Sequence, residues 1–353
     1  MNSLSENSNI HTSARESTLD MMRGLAILTM VIGHLVVAVG DIPCFKPLLI
    51  AGGLAPVLFV FISGYLVCYL RENKHYGAGY FLIRGALLIL IGALVDVFIW
   101  QIIPFMTVDI LYFIGLSLPL VYWLTDAPVP IRVGLLLVII LGTPLLQHWL
   151  GYAPYPTELY LNRTPTVEAT YTYAIYKHYL VDGWFPLFPW LGISLAGGLF
   201  YWVRTRYNEF FHRWIAGGSA MLIVLGLVVW WPVPSGLPLR LQYGGIFMPP
   251  GPGYLITSLG LVTGLFWLIQ KFTLYRSLNL IGEIGKSSLL FYILHLTLIK
   301  YLIPHFGSPT TIMTILKMFL VVAGILTIMG WGVKQFKTRM GKLPLVLRVL
   351  LGG

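Results

Sequence analysis

Hydrophobic residues in this chain fall in long unbroken runs, not in short alternating ones. Mainly apolar stretches close to the roughly 20 residues that a bilayer crossing needs occur at 24–40, 50–70, 80–102, 107–124, 131–150, 185–203, 214–232, 253–272, 285–303 and 309–333. Only helices and closed barrels satisfy their backbone polar groups in lipid, and these runs are too long for barrel strands. The pattern therefore predicts an all-α, polytopic membrane bundle of about ten transmembrane helices. The fourth and sixth runs are short, so tilted or partly re-entrant segments are expected there. Residues 1–18 read as a polar tail and 19–333 as one transmembrane domain. Residues 334–353, basic and leucine-rich, read as an inner-surface helix lying on anionic lipid. Residues 151–184 read as the longest outer loop. Its tyrosines, from Tyr152 through Tyr155, Tyr171 and Tyr173 to Tyr179, suit an interfacial belt or a platform on which a sugar stacks.

Composition agrees with this pattern. Hydrophobic residues make up 57% of the 353 and charged residues only 10%, with a mean hydropathy of +0.81. A soluble domain is about 45–50% apolar and about 25% charged. The net charge of +10 has a topological explanation. With the N-terminus inside, Arg71, Lys74, Arg84, Arg204, Arg206 and Lys337 fall on the inner side, as most other basic residues do, in a ratio of roughly three to one. An even number of spans then puts the C-terminus inside as well. No basic patch is interleaved with aromatic residues, which argues against a nucleic-acid partner. Cys44 and Cys68 are expected on opposite sides of the membrane, so no disulfide framework is predicted. The polar N-terminus shows no removable signal peptide.

Within the first span, Arg23 and His34 are separated by ten uncharged residues. Eleven positions amount to about 16 Å along a helix and about 20° beyond three full turns. Both side chains thus point to one face, the arginine at the inner surface and the imidazole about half a bilayer deep. An ionisable group at that depth is expensive and marks a functional site by default. A groove along this face would take a long substrate with an anionic head on Arg23. Its reactive end would meet an imidazole suited to proton transfer. The plainer alternative makes Arg23 an anchor and His34 a polar strut between helices. Asp96, inside the third span, could orient an imidazole or simply sit at the outer interface.

The chain carries five short motifs in order. They are Asp20 with Arg23 and His34; Phe59-Val60-Phe61-Ile62-Ser63-Gly64; Asp109-Ile110-Leu111-Tyr112-Phe113-Ile114-Gly115; Phe185-Pro186-Leu187-Phe188-Pro189-Trp190-Leu191-Gly192; and Gly282 with Ser287, Ser288, Tyr292 and His295. Together they resemble the heparan-α-glucosaminide N-acetyltransferase catalytic-domain family, within the wider acyltransferase-3-like superfamily. The resemblance implies transfer of an acyl group, in the first place acetyl, from cytoplasmic acyl-CoA. The acceptor would be a hydroxyl or amine of a carbohydrate, glycolipid or other envelope molecule at the outer face of a bacterial plasma membrane.

In that frame Arg23 would hold the CoA head, with Arg71 and Arg84 as further phosphate contacts or only as topology markers. His34 would act as base or as an acyl-accepting nucleophile. His295 would assist it, or serve as a buried strut. No Cys/His cluster or H-E-x-x-H motif is present, so no metal is predicted. An oligomer is left open. The competing function is a secondary transporter or flippase in which His34, His295 and Asp96 relay protons or touch substrate. A scaffold role would leave the order of the motifs unexplained.

Overall fold

The protein's structure, a computed structural model, describes residues 2–39, 46–151, 159–162, 175–230, 250–306, 311–340, 347 and 350–351. Cys44, Tyr152, Tyr155, Tyr171 and Tyr173 lie outside these residues, so the expectations attached to them are not addressed. The helices are α1 (Asn2–Val39), α2 (Lys46–Lys74), α3 (Ala78–Val95, continued by a π-helical turn Asp96–Trp100), α4 (Ile110–Leu124) and α5 (Val129–Leu150). After α6 (Ile175–Asp182) come α7 (Leu187–Arg206), α8 (Asn208–Trp230), α9 (Pro252–Lys271) and α10 (Asn279–Lys286). The last two are α11 (Ser288–Phe306) and α12 (Ile312–Met340). Among the described residues the one β feature is an isolated bridge between Ile102 and Tyr160.

Among the described residues each apolar run predicted as a span overlaps a helix. Among the described residues eight helices are long and apolar enough to cross a membrane, or nine if the bent pair below is one span. The fourth run gives α4, whose 15 residues rise only about 22 Å against a hydrocarbon core of about 30 Å. The sixth gives α7, which with α6 forms a pair bent by 51°, a broken span or a re-entrant loop. Residues 175–182, expected in the outer loop, are therefore helical. The polar residues Lys177, His178 and Asp182 dilute the apolar signal there. Helix α12 runs unbroken through Lys334 to Met340, so the first residues of the segment read as an inner-surface helix are helical.

Packing divides the chain into two units, one made of residues 1–58 with 262–353 and the other of residues 59–261. In the first, α1 buries Met22, Ala26, Ile27 and Val31 completely. It meets α10 at backbone distance. A Cβ on Gly24 would land on the carbonyl of Ile281, and one on Gly285 on the carbonyl of Asp20. Glycine permits this approach, which matters in lipid because apolar side chains gain little there by leaving an equally apolar solvent. Further along α1, Gly33 faces Gly52 of α2, where an added Cβ would lie 3.2 Å from the opposite Cα. Glu283 of α10 binds Lys286 at 3.0 Å and Lys334 of α12 at 3.3 Å. These contacts gather the middle of α1, α10 and the later turns of α12.

In the second unit α2 and α7 use the same device. Gly64 lies on the carbonyl of Ser194, and Gly197 on that of Phe61. Ser63 donates to the Val60 carbonyl at 2.7 Å, so this signature serves packing. Helix α5 instead presents Val138, Leu141 and Trp149 outward. Such an apolar face has lipid as its natural solvent.

Two outcomes follow. Gly285→Val should sharply reduce the yield of monodisperse protein in detergent, because the backbone contact with Asp20 must open. Gly142→Ala, at a position with open space around the Cα, should be neutral or stabilising by up to about 1 kcal/mol. Equal behaviour of the two in size-exclusion and thermal-unfolding assays would refute the role given to Gly285. The second concerns Glu283. Burial opposes its charge, but the hydrogen bond and charge of Lys286, with Lys334, outweigh this and hold the carboxyl below its usual range. A lowered folded pKa stabilises above the unfolded pKa and is lost as pH falls through the folded one. Both lysines are well exposed, so Glu283→Gln should cost about 0.3–1 kcal/mol at neutral pH. The gap in melting temperature should close as the pH drops below about 4.

Candidate active site

Helix α1 is continuous from its first turn to Val39, so Arg23 and His34 stand on one helix with the same-face spacing inferred above. Arg23 donates from Nη2 to Asp20 Oδ1 at 2.7 Å, a pair one turn apart. Its Nε is buried and meets no hydrogen-bond acceptor among the described residues. A guanidinium tied down on one side, with a further donor unspent, is suited to an anionic group.

His34 and His295 come together from α1 and α11. Their ring centroids are 5.2 Å apart in a T-shaped arrangement, and the Tyr292 ring also packs edge-on against His295 at 5.5 Å. In each histidine Nδ1 lies 3.0 Å from the main-chain carbonyl four residues earlier, Met30 for His34 and Phe291 for His295. A carbonyl can only accept, so Nδ1 carries the hydrogen in both. A neutral ring then presents Nε2 as a lone pair. The two rings are thus fixed in the same tautomer, with their basic nitrogens turned away from their own backbones. His295 is wholly buried, and its Nε2 has no hydrogen-bond partner among the described residues. His34 is half-buried. The pairing of two helices' imidazoles is information that periodicity along either one does not contain.

The other predicted residues belong to the second unit. Asp96 is buried, and its Oδ2 accepts from the Tyr112 hydroxyl at 2.6 Å. It opens the π-helical turn after α3. Such turns are frequent at functional sites. Gln101, Phe105 and Val108, in the loop that follows, all have positive φ, a cluster of strained backbone for non-glycine residues. Arg71 reaches Asp126, Thr125 and the Tyr122 carbonyl and lies over the Tyr122 ring. Its donors are engaged at the end of α4. Arg84 contacts the Tyr80 hydroxyl at 3.1 Å. Asp109 caps α4 by accepting from the Ile110 N–H at 2.6 Å.

One polar group escaped the sequence reading. His178 and Asp182, both buried, meet at 2.6 Å on α6, and Lys177 lies 3.3 Å from the same carboxylate. The signal available was a histidine and an aspartate four residues apart just before Phe185-Pro186. It was obscured because the segment reads as loop. Among the described residues no group of three or more His, Cys, Asp or Glu is placed to hold a metal ion.

A family model described as heparan-alpha-glucosaminide N-acetyltransferase, catalytic, matches residues 15–229. The chain belongs to this family. No curated protein matches it. Membership in the acetyltransferase family, with its many apolar helices, makes the chain a multi-pass membrane acetyltransferase. The matched residues take in Arg23, His34, Asp96, Arg71 and Arg84. They end before α9, so His295 enters the site on geometry and not on the match.

The Asp96–Tyr112 pair yields a direct test. Tyr112→Phe removes the donor from a buried carboxylate and should cost about 1–3 kcal/mol, read as a fall of several degrees in the melting temperature. Asp96→Asn keeps an acceptor for Tyr112 and should lose less. If Tyr112→Phe melts with the wild type, the pair is not the support described.

Proposed function

We propose that the chain moves an acetyl group from cytoplasmic acetyl-CoA to a hydroxyl or amine of a carbohydrate or glycolipid acceptor at the opposite face, with the paired imidazoles as its proton-transfer centre. The observation that carries this reading is the His34–His295 pair, each ring locked with Nδ1–H on its own helix and Nε2 basic. Family membership supports acetyl transfer over transport.

In this reading the anionic nucleotide of the donor meets Arg23, near the start of the apolar part of α1. The pantetheine arm runs along the face of α1 over the roughly 16 Å to His34. Nε2 of His34 takes the proton from the acceptor O–H or N–H as the acceptor attacks the thioester carbonyl. The tetrahedral intermediate collapses with cleavage of the C–S bond. The imidazolium returns its proton to the departing sulfur, so charge and atoms balance over the cycle. His295, with its own Nε2 at hand, holds His34 in place and accepts a hydrogen bond from the acceptor or from the transient imidazolium. Attack by Nε2 of His34 itself would give an acetyl-histidine before the acceptor arrives. That route predicts release of free CoA without acceptor, in an amount equal to the enzyme.

The test is incubation of purified protein with acetyl-CoA labelled in the acetyl group, with membrane glycolipid extract as acceptor. Label should pass to the acceptor. His34→Ala should lower kcat by roughly 10²–10⁴-fold while melting within a few degrees of the wild type. His295→Ala should lose less. Undiminished turnover by a folded His34→Ala variant would overturn the mechanism, as would substrate movement across liposomes with no acyl donor present.

A further inference from the structure

At the end of the first unit where α10 packs on α1, two donors converge on one oxygen. Ser287, between α10 and α11, is buried and donates to the main-chain carbonyl of Leu351 at 2.7 Å. Lys337 of α12 donates to the same carbonyl and lies 3.1 Å from the Ser287 hydroxyl. A carbonyl offers a dipole to the ammonium but no compensating charge. The nearby carboxylate, Glu283, is engaged by Lys286 and Lys334. The group therefore holds three ammonium ions and one carboxylate. Asp20, whose backbone carbonyl touches Gly285, is paired with Arg23 and leaves that excess in place.

A hydroxyl and an ammonium meeting at one oxygen, inside a cluster with surplus positive charge, is the donor set of a phosphate site. The oxygen now in it is the main-chain carbonyl of Leu351. A phosphate oxygen would accept both hydrogen bonds and supply the missing charge. Helix α12 is 29 residues long, about 43 Å, which exceeds the hydrocarbon core. A helix of that length crossing a bilayer carries its final turns, Lys337 among them, past the hydrocarbon.

We propose that Lys337 and Ser287 form a phosphate subsite for the nucleotide end of the CoA donor, and that the Leu351 carbonyl occupies it until a donor phosphate displaces that carbonyl. This rests on the acyl-CoA reading above, and it adds a contact that the arginine at position 23 does not provide. The same phosphate chemistry could come from an anionic lipid headgroup, which the test separates.

Full-length protein in neutral detergent is titrated with CoA and with pantetheine. Wild type should bind CoA with Lys337→Gln at least 10-fold weaker and Ser287→Ala a few-fold weaker. Pantetheine, lacking the nucleotide, should bind all three alike. Lys337→Arg, which keeps the charge, should recover most of the CoA affinity and guards against misfolding of the glutamine variant. Amide exchange around Leu351 should rise when CoA is added to the wild type. Nanodiscs with and without phosphatidylglycerol form the second arm. If that lipid alone releases the Leu351 region and CoA does not, the donor assignment falls. Equal CoA affinity in wild type and folded Lys337→Gln, or unchanged exchange at saturating CoA, overturns the subsite even if acetyl transfer is found. Lys337-dependent CoA binding without any acetyl transfer leaves the subsite standing and removes the catalytic reading instead.

Discussion

Between two helices in lipid, burying leucine gains almost nothing, because the solvent left behind is itself hydrocarbon. Association must come from close backbone approach and from polar pairs. The first unit depends on this at α1 and α10, where Gly24 lies on the Ile281 carbonyl and Gly285 on the Asp20 carbonyl. The contact fixes more than two helices. It sets where Glu283 reaches α12, and it places Ser287, where the backbone breaks between α10 and α11 with φ −115° and ψ 35°. The register of α11, and so the position of His295, starts from that break. On α1 the contact of Gly33 with Gly52 occurs one residue before His34. The imidazole pair is thus held at both ends by backbone contacts that no larger residue would allow.

Buried polar groups in such a bundle need partners, and the two units meet the need differently. Asp96 takes a hydrogen bond from Tyr112, which supplies one carboxylate oxygen with a neutral donor. His34 and His295 each spend one nitrogen on the carbonyl of the preceding turn. An imidazole can do this and still keep a base, because its two nitrogens are separate sites. A carboxylate or an amine at the same depth would carry its charge into the low-dielectric interior at far greater cost. A neutral ring with one nitrogen anchored is the inexpensive way to keep a proton acceptor inside a membrane.

What could be read from the sequence divides along the same line. Helices were legible because hydrocarbon thickness imposes a length on every run, and α4 stood out as short for that reason. The shared face of Arg23 and His34 was legible because it is a property of one helix. His295 was noticed as a mid-helix histidine, but its packing against His34 depends on two glycine contacts far apart in the chain. Arg71 was singled out as a cation near the inner surface. Its actual partners, Asp126 and the Tyr122 ring, lie on and just beyond α4, about 50 residues away. Composition cannot show which cations are already spent on structural contacts. The Lys337–Ser287 site was hidden for a further reason. Its present occupant is a main-chain carbonyl, and carbonyls carry no sequence signature.

The distribution of charge in the first unit also limits what kind of donor it suits. Cations gather around Arg23 of α1, on α10 and in the last turns of α12, while the centre, around the two imidazoles, is neutral and largely buried. A donor with charge along its whole length would face a large desolvation penalty on reaching His34. One with an anionic head and an uncharged, slender, reactive tail would not, because its charge stays where the lysines and Arg23 are. Thioesters of CoA have that division. The same polarity bears on the departing group, since a thiolate formed in a low-dielectric site is unstable unless it is protonated as it leaves. An imidazole that has just received a proton from the acceptor is placed to return it. The base at the centre and the cations at the end are then two requirements of one substrate, which need not be charged at the point where it reacts.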